Sequence, residues 1–148
     1  MKTLLLGALL TVGIAGASSA TPSHSRAIEA IVRNLDLTSF PNSTGPRRSP
    51  GKATLADYGF VRVVPDGTET SVYQRDRSWV MSFRIISEDA HSVRLCFHDR
   101  GLSQPNSLVA PSYNATSALL ISKSPRGPWK AAQVPAGFSS CENDPVTA

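Results

Sequence analysis

Cysteine, methionine and aromatic residues are scarce in this chain: two Cys and two Met in 148 residues, with aromatics at 7%. Two cysteines exclude a disulfide-dense scaffold, and the absence of any CxxC pair leaves no zinc-type spacing. No Gly-x-Ser-x-Gly elbow is present, and no glycine-rich phosphate loop follows a strand pattern. Charged residues make up only 18%, and the net charge of +4 is spread along the chain. Nucleic-acid binding needs a concentrated basic stripe interleaved with aromatics, so no nucleic-acid partner is expected. Beyond the N-terminus no apolar run approaches the length needed to span a bilayer.

What is present begins with an address. Lys2 supplies a positive n-region, Leu4 to Ala17 is an apolar stretch, and Ser18-Ser19-Ala20 offers small residues before Thr21. That is the pattern of a cleavable signal peptide over residues 1–20. Residues 21–148 then form a single exported globular domain, periplasmic or secreted, with no transmembrane segment after cleavage. In an oxidising compartment an even cysteine count favours one bridge, so Cys96 and Cys141 are expected to pair. Closing a loop of about 45 residues contributes roughly 3–4 kcal/mol by chain entropy and tethers the C-terminal tail.

Along the mature chain, Ser23 to Leu35 places Ala27, Ile28, Ile31, Val32 and Leu35 on one face at helical period. Ser23 or Ser25 is positioned to cap that helix. Residues 38–53 carry Pro41, Pro46 and Pro50 and read as an irregular loop. Strand patterns follow, with Pro65-Asp66-Gly67 marking a hairpin turn after Tyr58 to Val64. Trp79 to Ile86 and Ser92 to His98 both alternate, and their apolar sets share a face only if an odd number of residues joins them. A three-residue loop, Ser87 to Asp89, is preferred, because five would oppose Arg84 to Arg94. Ala115 to Ile121 and Trp129 to Val134 complete about six strands. The expected fold is α+β, one N-terminal amphipathic helix packed on an antiparallel β-meander. A small all-β sandwich or barrel with a peripheral helix is the alternative.

Three groups of residues are candidates for function. Arg84, Arg94 and His98 share the second face of the central hairpin, and their donors suit a carboxylate or phosphate on a small molecule. Arg47, Arg48 and Lys52 concentrate positive charge in the 38–53 loop and suit an acidic protein surface. His98 with Asp99 or Asp57 would serve a small secreted hydrolase. Cys96 and His98 sit two apart on one strand, but a bridge to Cys141 removes the thiol as nucleophile or ligand. His91 and His24 are the only other imidazoles, so no metal and no cofactor is expected. Glu88-Asp89 reads as a solvated turn, and Trp129 and Tyr113 as core or edge anchors. Asn42-Ser43-Thr44 and Asn114-Ala115-Thr116 fit the N-glycosylation pattern. The weight falls on a non-catalytic ligand- or protein-binding module of the cell envelope or extracellular space. The other readings are the hydrolase and a structural or inhibitory module acting through its loops.

Overall fold

A computed structural model describes residues 22–103, 113–134 and 141; the expected leader lies outside them. Helix α1 (Pro22–Asn34) opens the described chain. It starts on a proline, whose fixed φ and missing N–H suit a first helical turn, ahead of the expected serine caps. Ala27, Ile28 and Ile31 are buried while Arg26, Glu29 and Arg33 face out. Seven strands follow: β1 (Leu35–Asp36), β2 (Phe60–Asp66), β3 (Glu69–Gln74), β4 (Trp79–Glu88), β5 (Ser92–Gly101), β6 (Asn114–Ser122) and β7 (Trp129–Gln133). They form one sheet in the order β1-β7-β6-β5-β4-β3-β2. Neighbours from β2 to β7 run antiparallel, whereas β1 pairs parallel with β7.

The α+β expectation of a six-strand antiparallel meander under a helix is therefore corrected. Over the described residues the protein is mostly β, a curled seven-stranded mixed sheet shaped as a half-barrel, with one short helix. The difference lies in Leu35 and Asp36. Leu35 ends the predicted helical period, but the chain straightens there and runs alongside Trp129 and Lys130. Two residues carry no periodicity, so hydrophobic patterning has nothing to register. At the opposite edge, β2 leaves Val61 and Val63 exposed, flanked by Arg62 and Pro65, which discourage pairing with another strand.

The central hairpin keeps its apolar sets on one side, with Phe83 opposite Phe97 and Ile85 opposite Leu95. Its register is not that of a three-residue loop. Ile86 bulges out between Ile85 and Ser87, so Arg84 lies opposite Cys96 and Arg94 opposite Ser87. The extra residue lets both arms extend while the apolar faces stay matched. Asp89 closes the turn by accepting from the His91 and Ser92 N–H groups and the Ser92 hydroxyl. Lys123 pins it to the end of β6 through Glu88 at 2.6 Å.

Phe97 lies amid the core aromatics. It meets Phe40 edge-on at 5.3 Å and Phe83 at 5.5 Å, packing that adds to the burial itself. Phe40, Leu37, Leu55 and Tyr58 are all buried, so the segment after β1 folds over the apolar face instead of hanging off it. It contains two short 3-10 turns, Gly45–Arg47 and Ala56–Tyr58. The latter ends on Gly59 at φ +81°, a conformation glycine adopts without a Cβ penalty. Cys96 and Cys141 are bridged, with their Cα atoms 5.4 Å apart. Among the described residues no helix is long and apolar enough to cross a membrane.

Opening this bridge releases a 45-residue loop. Replacing both cysteines by serine is expected to lower the unfolding free energy by about 2–4 kcal/mol, measured by urea titration. An unchanged midpoint and slope would show that the bridge does not stabilise the fold.

Candidate functional site

Strand β5 sets the chemistry, because alternate residues point to opposite faces. Val93, Leu95 and Phe97 take the core face, and Asp99 follows them there because the strand runs on to Gly101. Asp99 is fully buried. Its carboxylate accepts the Ser43 N–H at 2.6 Å and the Ser43 hydroxyl at 2.8 Å. Burial nevertheless pushes its carboxyl above the usual range; the Ser43 bonds and the Arg47 charge pull the other way.

The tripeptide containing Ser43 is buried throughout. Asn42 Nδ2 donates to the Leu37 and Phe40 carbonyls, and its Oδ1 accepts from the Thr44 N–H and hydroxyl. Arg48 donates to the same two carbonyls at 3.2 and 3.0 Å. Arg47 lies over the Trp79 ring at 5.3 Å, and Trp79 meets Tyr113 edge-on. The expected irregular loop is thus a braced one. Arg47 and Arg48 are exposed yet held, and exposed Lys52 sits close enough to act on Asp57. An open groove of about 450 Å³ runs beside this loop, lined by Thr38, Phe40, Pro41, Asn42, Arg48 and Tyr113 among others.

The opposite face of β5 carries Arg94, Cys96, His98 and Arg100. Here Glu69 of β3 reaches across β4 to His98, with Nδ1 and Oε1 3.3 Å apart. Ser82 lies between them in the sheet. It hydrogen-bonds Glu69, shares a 2.8 Å contact with Ser71, and is only 2% exposed. The hydrogen bond from His98 is the largest influence on Glu69 and, with Ser82 and the Arg100 charge, holds its carboxyl below the ordinary value.

The sequence-derived candidates are distributed as follows. Arg84 and His98 lie on neighbouring strands, His98 against Glu69 and Arg84 donating to Cys96 Sγ at 3.2 Å. Arg94 is four residues along β5 from His98, roughly 13 Å at the usual strand rise, so the three do not converge. Asp99 faces away from His98. Asp57 accepts the Ala53 and Thr54 N–H groups and the Thr54 hydroxyl. The carboxylate that meets His98 is Glu69, which sequence reasoning missed because it sits on another hairpin. Arg100 was missed as well, although the period-two series from Arg94 through His98 pointed to it. Among the described residues no group of three His, Cys, Asp or Glu could hold a metal ion. No known family, characterised protein or solved structure matches the chain.

Asp99 and Glu69 have opposite pH signatures. Asp99 has a raised native pKa, so ionising it costs stability, and that cost disappears as pH falls through the native value. Glu69 has a lowered one, so its contribution is present above about 4.5 and is lost as pH falls through its native value. Asp99→Asn preserves an acceptor for the Ser43 N–H and a donor for its hydroxyl; at pH 7 it should match or exceed wild-type stability. Asp99→Ala should lose about 2–3 kcal/mol by stranding both buried groups. Denaturation across pH 3–8 checks this, with wild type gaining on Asp99→Asn as the medium is acidified. A pH-independent difference would rule out the ionisation cost.

Proposed function

We propose that this protein is an exported, non-catalytic binding module that meets an acidic protein surface through the braced loop of residues 38–53. The observation that carries the reading is the Asp99–Ser43 contact, a buried carboxylate committed to holding a surface loop in one conformation. A loop fixed before encounter loses less conformational entropy on binding, and this is how a rigid scaffold supports recognition. The loop presents Arg47, Arg48 and Lys52 on one connected stretch, and the adjoining groove gives it relief.

Export rests on the pattern of residues 1–20, and a disulfide is compatible with an oxidising compartment. The hydrolase reading has less support. Catalysis by His98 needs an accessible nucleophile beside the imidazole. Two hydroxyls flank His98 in the sheet: Ser82 of β4 is buried and already bonded to Ser71, and Thr116 of β6 is exposed, with no hydrogen bond to the imidazole among the described residues; Cys96 is bridged. An anionic small molecule at Arg84, Arg94 and His98 is also less supported, because Glu69 already places a carboxylate against His98 and Arg94 lies roughly 13 Å along the strand.

Trp79 lies under Arg47, so its fluorescence reports engagement of the loop. Titration with poly-glutamate at low salt should perturb this signal, and Lys52→Glu should weaken binding about tenfold more than the equal charge change Arg126→Glu in the β6–β7 turn. Raising salt should erase the difference, as for contacts governed by exposed charge. Equal weakening by the two reversals would remove the loop as the recognition surface.

A further inference from the structure

Two stretches of this chain carry the Asn-x-Ser/Thr pattern, and the fold treats their amides differently. We infer that Asn114 is the glycan acceptor of this protein and that Asn42 is a folding element consumed by the loop. N-glycosylation joins the Asn Nδ2 to the anomeric carbon of a lipid-pyrophosphate-linked oligosaccharide; the lipid pyrophosphate leaves and Nδ2 gives up one proton. An acceptor must therefore spare an N–H and have room for a sugar.

Asn42 has neither. Its Nδ2 donates to Leu37 O at 2.7 Å and Phe40 O at 2.9 Å, and the residue is 8% exposed. Its carbonyl oxygen is engaged by Thr44. A sugar there would displace one of those hydrogens and stand where the two carbonyls converge. Phe40 could not then pack edge-on against Phe97, nor could Ser43 reach Asp99. Transfer to the unfolded chain would thus produce a molecule unable to close this loop.

Asn114 is the opposite case. It begins β6, is exposed, and lies opposite Arg100 on the face away from the main core. Among the described residues no hydrogen bond engages its amide. Thr116, whose hydroxyl the pattern requires, is exposed two residues on along the same face. A surface position with a spare amide and open solvent is what a bulky, solubilising sugar needs. The inference concerns modification and stands apart from the loop's binding role.

The test secretes the full chain from a glycosylating yeast behind a host leader, then maps the disulfide-bonded product by peptide mass. The expected product carries one glycan, at Asn114, and Thr116→Val abolishes it while leaving Asn114 itself intact. A glycan on Asn42 in folded, secreted protein would overturn the assignment, and so would secreted protein with Asn114 unmodified. A second measurement needs no glycosylation. In protein from a host that does not glycosylate, Asn42→Gln should lower Tm by about 8 °C or more and Asn114→Gln by less than about 2 °C. Equal shifts would remove the structural role given to Asn42.

Discussion

The contact between Asp99 and Ser43 joins residues 56 positions apart and governs how this chain closes over its own sheet. A carboxylate on the core face of a central strand is costly to bury unless donors meet it. Ser43 supplies two, one from the backbone and one from its hydroxyl, and only a loop turned inward at that point can do so. Once Ser43 is in place, Asn42 and Thr44 are carried inside with it and Phe40 reaches Phe97. Arg47 and Arg48 emerge on the surface in fixed positions. A polar requirement at one strand position thereby organises both the cover of the hydrophobic core and the cationic edge beside it.

The other face of the sheet follows a parallel logic with different chemistry. Glu69 spans β4 to reach His98, and that span explains how Ser82 and Ser71 come to be nearly buried on a face away from the main core. The disulfide fixes Cys141 to the same face at Cys96, next to Arg84. Two strands of local sequence, β3 and β5, are thus tied across a third by charge and hydrogen bonding where the apolar face is tied by packing. The His98–Glu69 pair is partly exposed, so its energetic share is smaller than its position suggests. Its structural consequence is to close off the hydroxyls beneath it.

Much of this was legible in the residues. The amphipathic helix, the Asp66-Gly67 turn, the apolar alternation of the central hairpin and the Cys96–Cys141 pairing all follow from local pattern or compartment. Three kinds of feature were not. β1 is too short to have a period, and its parallel pairing with β7 depends on a partner over ninety residues away. The Ile86 bulge changes register without changing composition. The loop read as irregular because prolines punctuate it, although its polar side chains satisfy one another and the sheet. Proline spacing excludes regular structure; it is silent about whether an irregular segment is held.

The pairing of His98 with Asp99 shows the limit most sharply. Adjacent residues suggest partnership on paper, and a histidine beside an acid invites a catalytic reading. On a strand, adjacency does the reverse, because the two side chains leave the backbone on opposite sides. His98 therefore meets a carboxylate from another hairpin, while Asp99 serves the core and the loop above it. The division separates the acid that restrains the loop from the imidazole on the other face. That separation favours a surface whose shape is set by a buried group and whose charge is displayed by exposed ones. Recognition of an acidic partner needs both conditions together.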